Sequence, residues 1–97
     1  MRIIAFSSLR TFWEKHPDAE TPLRVWYAEA SRADWRTPAD IKAAYRNASF
    51  TANNRVVFNI KGNDYRLVVA VHYDHGQMYV RFIGSHRQYD KIKVETI

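Results

Sequence analysis

From Arg55 to Asp90 the side chains sort by parity, one register collecting apolar residues and the other arginines, amides and a histidine. Such alternation belongs to β-strands that bury one face. Three strands account for it: Arg55 to Ile60, Tyr65 to Tyr73 and Met78 to Ser85, joined by Lys61-Gly62-Asn63-Asp64 and Asp74-His75-Gly76-Gln77, both of turn composition. With even-length loops, Ile60 faces Tyr65 and Tyr73 faces Met78. One face then carries Val56, Phe58, Ile60, Tyr65, Leu67, Val69, Val71, Tyr73, Met78, Val80 and Phe82, which is the makings of a core. The other carries Arg55, Asn59, Arg66, His72, Tyr79, Arg81 and Ser85, with Val57, Val68, Ala70 and Ile83 between them. A slip of one residue would bury arginines, so the pairing is strongly specified.

At 97 residues there is room for one domain, residues 1–97, with one modest core. Arg2 to Phe6 is a β-branched apolar run suited to an edge strand. Ser7 or Ser8 can cap a helix from Leu9 to His16, where Leu9, Phe12 and Trp13 form one stripe and Pro17 ends the run. Thr21-Pro22 opens a second helix with Leu23, Trp26, Tyr27 and Ala30 at helical spacing. Thr37-Pro38-Ala39-Asp40 opens a third, followed by Ile41, Ala44, Tyr45 and Ala48. Trp13 and Trp26 belong to these stripes, and Trp35 plugs the junction between helices. Ser49 to Asn54 reads as a linking loop and His86 to Ile92 as a short helical turn, with Lys93 to Ile97 unassigned. The fold class is therefore α+β: N-terminal helices on one face of a small twisted antiparallel sheet, then a short C-terminal helical segment.

Lysine and arginine number 15 against 10 acids, and the excess is larger after residue 50, where seven bases face four acids. A phosphate-bearing partner fits this balance, as does plain surface charge. The absence of cysteine excludes disulfides and thiolate zinc sites. No apolar run approaches a membrane span and Met1 to Phe6 is too short for a signal peptide, so a cytoplasmic protein without membrane contact is expected.

Arg66 and Arg81 share the basic face on adjacent strands, where two guanidiniums can converge on a phosphate; a solvated outer face accounts for the pattern equally well. Lys61 and Asn59 add donors at the same end, and Arg55 lies on the same face. His86 and Tyr89, three residues apart, share one side of a helical turn. With arginines nearby they suit ribonuclease chemistry, in which a ribose 2′-hydroxyl attacks the adjacent phosphorus without a metal or other cofactor. On spacing alone, a surface histidine and a packing tyrosine are the simpler account. His72 and His75 flank a hairpin tip with opposite parity and no third ligand, and are read as a face-lining and a turn histidine rather than a metal pair.

The run Asn59-Ile60-Lys61-Gly62-Asn63-Asp64-Tyr65-Arg66-Leu67-Val68-Val69, with Tyr79-Val80-Arg81-Phe82-Ile83-Gly84-Ser85-His86 and Tyr89-Asp90-Lys91-Ile92, resembles the HigB-type toxins of bacterial toxin-antitoxin systems. Asp34-Trp35, Thr37-Pro38 and Ala43-Ala44-Tyr45 extend the resemblance into the helical half. It implies a RelE-like fold and an endoribonuclease that cuts mRNA, typically on the translating ribosome. It further implies neutralisation by a HigA-type antitoxin, a helix-turn-helix protein through which alone operator DNA is bound. On this resemblance Arg66 stabilises the scissile phosphate and His86 and Tyr89 serve proton transfer, with Arg81, taken from its place on the same face, as the second phosphate-stabilising arginine. Asn59, Lys61, Arg55, Arg87 and Lys91 hold RNA. The alternative from a different class is a non-catalytic RNA- or ribosome-binding module that uses the same basic face.

Overall fold

The long strands form as their alternation requires. In the computed structural model, which describes residues 1–97, β3 (Arg55–Ile60), β4 (Tyr65–His72) and β5 (Gln77–Ser85) pair antiparallel, with Ile60 opposite Tyr65 and Asn59 opposite Arg66. Two short strands complete a five-stranded sheet of order β1-β5-β4-β3-β2. β1 (Arg2–Ile4) is the expected edge strand, but it runs parallel to β5, with Ile3 opposite Met78, so the sheet is mixed rather than wholly antiparallel. β2 (Ser49–Thr51) occupies part of the segment read as a loop, placing Phe50 opposite Val56. Phe50 remains 38% exposed and its strand neighbours are polar, so no buried alternation announces this strand.

Two corrections concern β5. Val71, not Tyr73, lies opposite Met78, because Tyr73–His75 winds into a 3₁₀ turn closed by Gly76 in the left-handed region at φ 63°. A shift of two residues preserves which face each side chain occupies. Beyond it the ladder runs Val69 to Val80 but Val68 to Phe82, leaving Arg81 as the extra residue of a β-bulge. The bulge inverts the parity of the rest of β5. Ile83 therefore joins the helix-covered core and Phe82 the opposite face, the reverse of the expected assignment of both.

The helices differ from expectation chiefly at their starts. α1 (Phe6–Lys15) begins after Ala5, itself left-handed at φ 68°, so neither Ser7 nor Ser8 caps it. α2 (Glu20–Arg32) continues directly from a 3₁₀ turn over Pro17–Ala19, and Thr21-Pro22 falls inside its first turn. α3 (Pro38–Ala44) starts as read: the Asp40 amide donates to the Thr37 hydroxyl at 3.3 Å, and the Thr37 amide donates to the Asp40 carboxylate at 3.2 Å. It stops at Ala44, so Tyr45 and Ala48 lie beyond it, although Ala48 is still buried.

The helices cover one face of the sheet. Leu9, Trp13, Leu23, Trp26 and Ile41 pack on Phe58, Leu67, Val69 and Met78 in a single cluster. Trp26 meets the Phe58 ring edge-on at 5.4 Å, while Trp35 stacks over the same ring at 6.4 Å and plugs the helix junction as read. The opposite face holds a second, small cluster in which Val57, Val68 and Val94 are buried among Phe82, Tyr89, Ile92 and Ile97. Its outer wall is the unassigned C-terminal segment, which crosses the sheet through a 3₁₀ turn at Val94–Thr96. No helix is long and apolar enough to cross a membrane.

Candidate nucleic-acid interface

The chain leaves β5 for α4 (His86–Tyr89) through a reciprocal cap, the Gln88 amide donating to the Ser85 hydroxyl at 3.1 Å and the Ser85 amide donating to Gln88 Oε1 at 2.8 Å. Gly84 makes the close turn possible. A Cβ there would lie 2.6 Å from the Phe82 ring and 2.7 Å from Gln88 Oε1. This corner holds His86 at the surface, its Nδ1 3.5 Å from the Asp90 carboxylate one helical turn on. The imidazole nitrogen that does not face Asp90 is then Nε2.

Arg66 stands opposite Gly84 in the ladder, two residues from His86 along the neighbouring strand, and Asn59 stands opposite Arg66 on its other side. The Arg66 guanidinium is oriented by the β3–β4 turn, Nη1 donating to the carbonyls of Asn63 at 3.0 Å and Tyr65 at 3.2 Å. Asn59 Nδ2 reaches Asn63 Oδ1 at 3.4 Å. Asn59, Arg66 and His86 thus gather at one end of the face, and Arg87 and Lys91, in and just after α4, are exposed. Tyr89 is half-buried in the small cluster, where its ring anchors α4 to the sheet.

Arg81 does not join Arg66. Displaced by its bulge, it donates from Nε to the main-chain oxygen of Ile97 at 3.2 Å, and Arg55 Nη2 donates to that same oxygen. The guanidiniums that converge are therefore those of Arg55 and Arg81, at the opposite end of the face from His86.

Lys61 is also committed elsewhere. In left-handed conformation at φ 53°, it places Nζ 2.8 Å from Asp18 and 3.2 Å from Asp64. Tyr65 donates its hydroxyl to Asp18 at 2.6 Å. The hydrogen bond from Lys61, then that from Tyr65, holds the Asp18 carboxyl below its usual range, and the same partnership raises the Lys61 ammonium. The His72 ring lies edge-on to Tyr79 at 5.0 Å, His75 ends the 3₁₀ turn, and both line an open cleft with Asn54, Tyr73 and Asp74.

One basic neighbour escaped the sequence reading. Arg46 and Asn47, in the loop after α3, line with Asn59 and Phe58 an open cleft of about 300 Å³. Neither lies on a periodic element, so nothing in the residue pattern draws attention to them.

Residues 19–92 match the family described as HigB toxin, the RelE-like toxic component of a toxin-antitoxin system. The chain belongs to that family. Among curated relatives, the mRNA interferase HigB of Escherichia coli O6:H1 is 26% identical over 94 residues, spanning 95% of this chain and 91% of its own length. The mRNA interferase toxin HigB of E. coli K12 and the mRNA interferase HigB of Shigella flexneri are each 26% identical over 92 residues, 93% of this chain and 88% of theirs. The HigB match begins just before α2 and ends just after α4, so it takes in the β3–β4–β5 sheet and the corner that presents His86.

Proposed function

We propose that this HigB-family toxin is a metal-independent endoribonuclease that cleaves mRNA on the translating ribosome in the cytoplasm. The observation that carries the reading is the juxtaposition of Arg66 and His86: a strand arginine held in place by the β3–β4 turn stands opposite Gly84, two residues before an exposed histidine. The names of the relatives, mRNA interferase in each case, support the same substrate class.

In this reading the ribose 2′-oxygen forms a bond to the adjacent phosphorus while the bond from phosphorus to the 5′-oxygen breaks, leaving a 2′,3′-cyclic phosphate and a free 5′-hydroxyl. One group takes the 2′ proton and another returns a proton to the departing oxygen. His86 serves one of these steps, with Tyr89 assisting, since an imidazole can accept a proton at one ring nitrogen and donate one from the other. Arg66 neutralises the charge that accumulates on the phosphorane oxygens. Asn59 and the flanking Arg87 and Lys91 position the backbone. A HigA-type helix-turn-helix antitoxin silences the chain, and operator DNA is reached only through that partner.

The test is to map mRNA 5′ ends after brief expression of the wild-type chain, His86→Ala and Arg66→Ala, with the purified proteins on naked and on translated mRNA. New ends are expected from the wild type during translation, with cleavage reduced about 10²- to 10⁴-fold in His86→Ala. Translation arrest without new ends would overturn the nuclease and establish the non-catalytic ribosome-binding module. The departure of Arg81 towards Ile97 gives that second reading its footing, because it leaves fewer cations beside His86.

A further inference from the structure

The convergence of Arg55 and Arg81 on one oxygen is not needed by the chemistry at His86, and it has the form of an anion site already filled. The two guanidiniums come from β3 and from the bulge of β5, and each carries five N–H donors. Arg55 spends one on Asn53 O at 2.8 Å and one on Ile97; its Nε is buried with no acceptor. Arg81 spends its Nε on Ile97. Arg55 Nε and the two terminal nitrogens of Arg81 make no hydrogen bond within the chain, and a phosphodiester, with two non-bridging oxygens sharing a full negative charge, can engage both forks.

The segment that supplies the oxygen is held by few contacts. Residues 93–97 pair with no strand. They are held by buried Val94, half-buried Ile97, the two arginine contacts and a hydrogen bond from Asn53 Nδ2 to Glu95 O at 2.9 Å. Lys93, Glu95 and Thr96 are exposed.

We infer that Arg55 and Arg81 form a second phosphate subsite for the RNA backbone, remote from His86, and that the 93–97 segment is a strap which occupies it in the free protein and is displaced by RNA. This rests on the reading of the chain as an RNA-binding toxin and adds to it a gate on the far half of the face. The bulge then has a purpose: it swings Arg81 away from Arg66 and towards Arg55, spreading two phosphate contacts along the face instead of concentrating them on one.

The test measures binding of a fluorescein-labelled oligoadenylate to the His86→Ala protein, so that the RNA stays intact, across a range of salt concentrations. Loosening the strap with Val94→Ala should tighten binding several-fold with the slope of log Kd against log salt unchanged, because RNA displaces the strap in both proteins and makes the same phosphate contacts. Adding Arg55→Gln and Arg81→Gln should abolish that gain and flatten the salt dependence by about 1.4, the value for two lost contacts to a single strand. In the protein with Val94 intact, hydrogen exchange at the amides of residues 93–97 should quicken when RNA is added, a readout that survives if Val94→Ala fails to fold. An unchanged salt slope on adding Arg55→Gln and Arg81→Gln, or a strap that stays protected in the RNA complex, overturns the subsite while leaving the nuclease reading intact. Absence of any oligoadenylate binding at low salt also overturns it. Loss of cleavage of translated mRNA by the wild type instead removes the nuclease reading, which the binding experiment does not touch.

Discussion

The two faces of the sheet are made from alternate residues of the same strands, yet they are closed in different ways. Towards the helices, 18 buried residues form one cluster, knit by aromatic contacts around Phe58. On the other side the buried cluster is Val57, Val68 and Val94, with Ala70 buried outside it, under a strap that forms no ladder with the strands. The first face makes the fold stable; the second is closed by far fewer buried groups and carries Arg55, Arg66 and Arg81. Stability and function are thus separated by side-chain parity, and substitutions on the two faces should fail differently.

Phe58→Ala should have the largest effect, because it empties the site where Trp26, Trp35 and Tyr45 meet. A loss of about 3–5 kcal/mol is expected, a large share of the 5–15 kcal/mol that holds a typical domain together. Urea denaturation followed by circular dichroism would measure it; a loss comparable to that of Val94→Ala would erase the contrast between the faces. Gly84→Ala comes next. The added methyl must push the Phe82 ring aside and press on Gln88, the cap of α4. The expected cost is roughly 1–3 kcal/mol. Because the displaced corner carries His86, cleavage should fall further than the shift in denaturation midpoint alone would explain. Wild-type cleavage from a Gly84→Ala protein would show that α4 does not position the histidine.

The asymmetry also explains what could be read from residues alone. Alternation in β3 and β4 is uninterrupted, so their register and the helix-facing set through Val80 were legible, as was the Thr37 to Asp40 cap, a local signal that completes itself within four residues. The bulge at Arg81 was not, because an extra residue leaves Phe82 and Ile83 apolar in either parity, and only the partner strand reveals which faces inward. The starts of α1 and α2 were misread because Ala5 and Ala19 lack the polar side chain that marks a cap, while serine and threonine lie just inside each helix. The corner carrying His86 and the neighbouring Arg66 was legible through the length of the family resemblance. The meeting of Arg55 with Arg81 was not, since it depends on Ile97, in a segment with no period of its own.

Asp18 supplies the mildest probe, at the seam where the helix-covered side meets the turn that orients Arg66. Its carboxyl is held below the ordinary 3.8, first by Lys61 and then by Tyr65, so the stability it contributes is present above that value and is lost as pH falls through the lower, folded-state pKa. Lys61 is raised above 10.5, chiefly by Asp18 and then Asp64, and Tyr65 above 10.0, chiefly by Asp18. Their contributions are complete below those values and vanish as pH rises through the raised ones. Asp18→Asn should therefore lower the urea midpoint modestly near neutrality. Its curve should approach that of the wild type in strong acid and again in strong alkali. Asp40, lowered mainly by the Arg36 amide, titrates in the same acid window, so part of the acid slope should persist in the variant. Since Lys61 would lose one of its two carboxylates, an Asp18→Asn protein should also bind RNA slightly more tightly at low salt. A midpoint that runs parallel to the wild type from acid to alkali would show that the cluster joining the two faces contributes nothing to holding them together.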